Sequence, residues 1–531
     1  MRRIVLVALL LDVASGCDVA PLNAGYNLPG GIADAGGACV SGATASCYTG
    51  PAATDGVGLC TRGTATCEPD GARFGACQGE VLPQMDDCAT PVDEDCDGLA
   101  PPCVGAALWS KRFGVGEPSL FAPSLVVDQG NNVIIARGLS GSADFGGGPL
   151  TSTGDLDVFI VKLDAAGNHL WSKRFGDLEY QVATALAVDA DSNIIMAGIL
   201  YGSIDFGGGP LVHIGAGFAA FIVKFDPAGN HLWSKQCESQ AIWPTSLAVD
   251  DKGNIVVTGD FGGTINCGGG ALTSAGKSDL FVAKLDAAGD HIWSRRFGDA
   301  AQQEGVKGAV DSAGNILLAG NFLEQLDLGG GALTSAGGED LFLAKLDPEG
   351  DHLWSRRFGD ADHQWGRSIA LDGSANVLIT GELHGSVDFG GGPLVSAGNG
   401  DGFLAKFNVA GQHVWSKLFG DANAQAGFAV VAEASGNVVA TGSFDGQVDF
   451  GGGPMLSAGN GDIFLTKLDP NGGHLWSKRF GDSTAQLGWR LARDYVGSTL
   501  AIGEFQGTVD FGVNPLVSEG GFDIFVAKLS P

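Results

Sequence analysis

Basic charge is scarce in this chain: 30 Lys and Arg stand against 60 Asp and Glu, a formal net charge of −30. A field of that sign repels phosphate backbones and anionic bilayer surfaces, which argues against nucleic acid as a partner. Charged residues are only 17% of the chain while glycine numbers 87 of 531, too few helix formers and too many helix breakers for a helical bundle. Beyond Leu11 no apolar run approaches the ~20 residues a membrane-spanning helix needs. The glycines show no three-residue period, which excludes collagen, and a hydrophobic content of 44% excludes a wholly disordered chain. A turn-rich β protein remains.

The first residues hold the one concentrated apolar run. Met1-Arg2-Arg3 is basic, Ile4 to Leu11 is apolar, and Ala14-Ser15-Gly16 precede Cys17. This arrangement resembles a bacterial lipoprotein signal, and the resemblance implies removal of residues 1–16 and lipidation of Cys17. Residues 17–38 then read as a flexible linker. The expected location is extracytoplasmic, at the outer membrane or cell surface, with the membrane reached through the lipid alone.

Cysteine is just as unevenly placed. Eight of eleven (Cys39, Cys47, Cys60, Cys67, Cys77, Cys88, Cys96 and Cys103) fall in a stretch with few large apolar side chains and no His. Zinc sites want paired Cys-x-x-Cys or Cys/His spacing; an even number in a core-poor segment argues for disulfides, with connectivity open. Residues 39–104 are the expected disulfide-rich module. Cys39-Val40, Cys47-Tyr48-Thr49-Gly50-Pro51, Gly58-Leu59-Cys60 and Gly75-Ala76-Cys77 resemble the Cys-rich modules of myxobacterial surface proteins. Asp93, Asp95, Asp97 and Gly98 have the D-x-D-x-D-G spacing that opens an EF-hand-like calcium loop, so Ca2+ is the one cofactor suggested. Val104 replaces the bidentate Glu of the twelfth loop position, and a solvated acidic turn is the competing reading.

From residue 105 to 531 the chain repeats itself. Leu-Trp-Ser-Lys-Arg-Phe-Gly or a close variant places Trp109, Trp171, Trp233, Trp293, Trp354, Trp415 and Trp476 about 61 residues apart. Asp-Phe-Gly-Gly-Gly begins at Asp144 and Asp205, varies at Asn266-Cys267 and Asp327-Leu328, and returns at Asp388, Asp449 and Asp510. Within one unit, Ser246–Val249 with Asn254–Gly259 and Leu280–Leu285 with His291–Phe297 read as two hairpins around Asp-containing turns. Four antiparallel strands per repeat make a propeller blade, and the repeat resembles the bacterial β-propeller repeats called SBBP. The chain starts this region with a lone fourth strand at Leu108–Lys111 and ends on a third strand at Phe525–Leu529. The expected fold is therefore all-β: a seven-bladed β-propeller closed by pairing its N- and C-terminal strands, preceded by the small disulfide-rich module.

Recurrence separates architecture from function. The seven Trp are expected to pack between sheets. Six recurrent His (His169, His231, His291, His352, His413 and His474) sit one per blade in hairpin turns and cannot converge on one ion. Cys237 and Cys267 replace two different recurrent Phe in one interval and nowhere else, which predicts that the two sites touch and that the pair is a disulfide. Tyr180, Trp243, His363, Trp365, Arg367, Trp489 and Arg490 stand out on the connection from one blade's fourth strand to the next blade's first. Aromatics beside Arg or His suit stacking on sugars or anchoring a protein; plugging the channel mouth explains them equally. No GxSxG, HExxH or phosphate loop is present, and the nearest catalytic cluster is Asp362, His363, Arg367, Glu382 and His384. The expected role is binding or scaffolding of an envelope protein or glycan rather than catalysis. A polysaccharide hydrolase or lyase acting at the channel mouth is the alternative.

Overall fold

The computed structural model describes residues 39–50, 54–57, 59–83, 105–114 and 122–531. Cys17 and the Asp93, Asp95 and Asp97 run lie outside them. Two compact units divide the chain between residues 102 and 103.

In the first unit, Thr44–Cys47 and Gly63–Thr66 form an antiparallel pair. The disulfides Cys39–Cys67 and Cys47–Cys77 cross-link it, and Cys60 is disulfide-bonded too. Its buried apolar residues among those described are Cys60, Ala65 and Cys67, so cross-links take the place of a core. They indicate an oxidising, extracytoplasmic environment.

The second unit is a propeller of seven antiparallel blades, five of them separate four-stranded sheets and the second and third joined in one continuous sheet. The fifth blade is representative: Gln364–Leu371, Val377–Leu383, Asp401–Phe407 and His413–Phe419 pair in that order, from the central channel outward. First strands touch first strands all the way round, the seventh blade meeting the first. Ala107–Phe113 supplies the outermost strand of the last blade by pairing with Asp523–Leu529, which leaves no open edge in the ring. Second and third strands such as Val133–Leu139 and Asp157–Leu163 are buried at every residue. Neighbouring blades cover both their faces, so these strands read as apolar runs rather than alternations.

Each blade is fastened to the next by one repeated latch. In the fifth blade the buried Lys406 ammonium lies 2.9 Å from Asp372 of the first hairpin turn and donates to the Pro470 carbonyl of the sixth blade at 3.1 Å. The Trp415 indole N–H donates to that same carbonyl at 3.0 Å. The Trp415 ring lies 3.0 Å from where a Cβ on Gly472 would stand, and Gly472 has φ +82°, so glycine is required there twice over. All seven blades carry the buried Lys–carboxylate pair, from Lys162–Asp128 round to Lys528–Asp494. The recurrent His are structural as well: each ring bonds the Ser three residues on, as His413 does Ser416 at 3.0 Å, and covers the middle glycine of the Gly-Gly-Gly turn.

One boundary breaks the pattern. At five other boundaries a Phe-Gly-Asp step joins the blades, with the Gly near φ 150° at Gly176, Gly298 and Gly481. Cys237-Glu238-Ser239 replaces it after the second blade, and without the glycine one strand runs unbroken from His231 to Val249 into the third blade. Cys237 is joined to Cys267 in a disulfide with Cα atoms 4.3 Å apart. The equivalent Phe pairs touch in other blades, Phe175–Phe206 at 5.0 Å and Phe358–Phe389 at 5.1 Å between ring centres.

Candidate functional site

The innermost strand carries a β-bulge at its fourth residue, where pairing with the second strand skips a position: between Gly366 and Ser368, Gly427 and Ala429, and Gly488 and Arg490. A bulge re-aims the extra side chain. The skipped residues are Arg367, Phe428 and Trp489, where the second and third blades have Thr184 and Thr245. The next position holds Lys307 and Arg490 where other blades have Ala or Ser. Two positions before the bulged residue stand Trp243, Glu304 and Trp365, and the sixth residue of the second strand is Asp260, Asn321, Glu382 or Glu504 in turn. Four positions of the repeat thus converge on one end of the channel.

There they line a funnel of about 890 Å³, walled by Trp243, Trp365, Phe428 and Trp489 and by the polar side chains of Asp260, Gln302, Glu304, Asn321 and Glu339. A narrower cavity of about 150 Å³ continues it down the channel, and Thr245, Lys307, Arg367 and Arg490 belong to both. These three cations therefore sit at the neck.

The aromatics are held in place. The Trp489 indole donates to Glu504 at 2.8 Å, and Glu504 is anchored 2.5 Å from the buried Arg137. Phe428 packs on Trp489 with ring centres 4.6 Å apart. The Trp365 indole donates to Glu339, His363 stacks on its ring at 5.6 Å, and Arg367 lies over it at 5.5 Å. Trp243 meets Phe218 edge-on at 6.5 Å.

Electrostatics at the base are unusual. Burial pushes the Asp260 carboxyl up to about 7, the Glu304 charge adding to the effect; the Gly305 N–H at 3.4 Å offsets little of it. Burial pushes Lys307 down to about 7, Arg490 reinforcing it, and lowers Arg490 as well, with Arg367 contributing. A neutral carboxylic acid beside an ionised one can donate a hydrogen bond or a proton near neutrality.

Of the residues singled out in the sequence, Trp243, Trp365, Arg367, Trp489 and Arg490 line the funnel. They lie within innermost strands rather than on connections, because those strands begin earlier than Ser246–Val249 suggested: Gln364–Leu371 and Gln486–Arg493 contain four of the five. Tyr180 and His363 do precede the strands; Tyr180 reaches the funnel aromatics only through Phe218, at 5.5 Å. Of the fifth-blade cluster, the structure joins Glu382, His384 and Arg367. Glu382 bridges His384 at 3.0 Å and Arg367 at 3.6 Å behind Trp365. Asp260, Lys307, Asn321 and Phe428 escaped the sequence reading, although spacing at 61 along the second strand (Gly138, Ile199, Asp260, Asn321, Glu382, Ser443, Glu504) shows one position that changes from every blade to the next, Glu alone recurring. Among the described residues no group of His, Cys, Asp and Glu is arranged to hold a metal ion.

No family model matches the chain. It is 23% identical over 469 residues to an uncharacterised WD repeat-containing protein of Acanthamoeba polyphaga mimivirus, covering 71% of this chain and 34% of that protein. It is 28% identical over 167 residues to the regulatory protein FlaEY of Caulobacter vibrioides, covering 30% and 17%. The chain spans about a third of the first relative and a sixth of the second. Similar solved structures include the Pan2 WD40 domain of Neurospora crassa (TM-score 0.41, 11% identity, 80% of this chain and 98% of that one). Others are an ulvan lyase (0.42, 13%, 75% and 92%) and the propeller domain of the Trilobed protease from Pyrococcus furiosus (0.38, 10%, 73% and 90%). The chain's own ring of seven blades makes it a β-propeller repeat protein.

Proposed function

We propose that this chain is an exported binding protein whose propeller holds a glycan in the funnel at the channel mouth, with the disulfide-rich unit as spacer and a lipid on Cys17 as anchor. The observation that carries the reading is the funnel itself: an 890 Å³ concavity in which aromatic walls alternate with amide, carboxyl and guanidinium groups. Sugars present apolar C–H faces to aromatic rings and hydroxyls to polar side chains, and a cavity of this size takes several pyranose rings. A protein partner anchored on the same Trp and Arg side chains is the competing occupant.

The test is glycan-array binding by the full chain beside Trp243→Ala and Trp489→Ala. Loss of signal in variants that keep the parent unfolding midpoint is the expected result. Absence of binding to any glycan overturns the reading in favour of a protein partner.

Turnover is the second reading, favoured by one observation: Asp260, held protonated up to about 7, faces the same space as Glu304. Product release from a bound polysaccharide that stops in Asp260→Asn without loss of binding would establish it.

A further inference from the structure

The chain has twice as many carboxylates as cations, and two sets of recurrent cations in the blades are matched to them. Seven buried lysines face carboxylates at 2.7–3.1 Å, and Arg112, Arg174, Arg296, Arg357 and Arg479 pair with the Asp that opens each third strand. The neck of the funnel is different. Lys307 donates only to the Thr245 carbonyl, at 3.2 Å, and Arg490 only to the Trp489 carbonyl, at 3.0 Å; among the described residues neither has a carboxylate within 4.0 Å. Arg367 reaches Glu382 at 3.6 Å, too far for a hydrogen bond. Three cations so placed repel one another in a partly desolvated site, a cost that an acidic chain had many ways to remove.

We propose that this neck is a subsite for the anionic group of an acidic glycan, a uronate carboxylate or a sulfate ester, gripped by Arg367, Arg490 and Lys307 while its sugar rings lie against the funnel wall. The proposal rests on the glycan reading above and names its substrate class. Guanidinium groups offer paired N–H donors that match a planar carboxylate, and Lys307 adds an amine whose charged form a bound anion would favour. The carboxylates nearby do not fill the role. Asp260 stays protonated up to about 7, Glu304 accepts the Gln302 amide at 2.6 Å, and Glu339 accepts the Trp365 indole. The net charge of −30 makes the neck a local exception that selects for anions only where the chain can pay the repulsion of its own surface by close contact.

The test is calorimetry of the full chain with tetragalacturonate, its methyl ester, an oligomeric dextran sulfate and inorganic phosphate, at low and high NaCl, beside Arg490→Gln and Arg367→Gln. A preference of about tenfold or more for the free acid or the sulfate over the ester is expected. That preference should shrink in salt and vanish in either variant while the unfolding midpoint stays put. Equal binding of acid and ester, insensitive to both variants, overturns the anion subsite and leaves the glycan reading intact. Phosphate binding that needs Arg490, with no sugar bound, overturns the glycan reading and keeps the neck as an anion site. No heat with any probe sinks both.

Discussion

The outer and inner halves of each blade obey opposite rules. On the outside, Lys, an acidic residue and Trp recur at fixed spacing, and the buried Lys–carboxylate pair is made seven times; on the inside, the second, fourth and fifth residues of the first strand and the sixth of the second change from blade to blade. The outer residues meet equivalent neighbours in every blade, so one solution serves all seven. The inner ones converge on a single axis, where seven copies of one residue would merely repeat a contact. Variation at a position facing the axis is how a ring of equivalent blades makes an unsymmetrical site.

Lys406→Met is the strongest way to test that division. It leaves Asp372 buried without its counter-ion, and breaking such a pair costs about 3–5 kcal/mol, whereas Arg490→Met at the neck is expected to cost less than about 1 kcal/mol because no carboxylate loses its partner. Urea denaturation of both variants measures the contrast; equal losses would erase it. Trp415→Ala comes next. The ring is buried against Gly472 and the indole holds Pro470, so truncation is expected to cost about 3 kcal/mol, against about 1 kcal/mol for the half-buried Trp243→Ala, which should instead lose ligand.

The second-to-third blade boundary sharpens the comparison from another side. There the chain gives up Phe, Gly and Asp together, and the equivalents of the Arg–Asp pair are Gln236 and Ala219. The disulfide stands in for them all. Replacing Cys237 and Cys267 by Ala closes no loop of 30 residues and is expected to cost about 3 kcal/mol. Replacing both by Phe should recover part of that, since the same sites hold touching Phe rings in other blades. A double-Phe variant less stable than the double-Ala one would show that the boundary has been rebuilt around the cross-link.

Much of this was legible in the sequence because repetition multiplies the signal. Seven Trp at one spacing, a lone strand at each end and two Phe sites turning to Cys in one interval determine the ring, its closure and its cross-link without any residue being read in isolation. The funnel was half legible. Large aromatic and basic residues such as Trp365 and Arg490 announce themselves against Ala and Ser, but Asp260 and Asn321 are polar residues among many and sit on a strand that otherwise reads as core. The bulge hid the rest: it breaks the two-residue alternation at Arg367, Phe428 and Trp489, so pattern alone moves them out of the strand and onto a connection.

The smallest effect separates the two regions by sign. Burial pushes the Asp372 carboxyl up, but hydrogen bonds from Asn376 and Lys406 outweigh it and hold the group below its ordinary value; its contribution is fully present above about pH 4 and fades as pH falls through the depressed value. Asp260 is the reverse. Its folded value of about 7 lies above the ordinary 3.8, so the stability it contributes is present below pH 3.8 and is lost as pH rises through 7. Asp260→Asn keeps an acceptor for Gly305, and its melting temperature should match the parent at pH 4 and exceed it at pH 8.5 by ~2 °C. Asp372→Asn should fall below the parent at pH 8.5 and close the gap in acid. Two carboxylates two blades apart would then answer the same titration in opposite directions, because one is paired to hold the ring together and the other is kept neutral at the mouth of the channel; parallel responses would mean that Asp260 is simply another member of the frame.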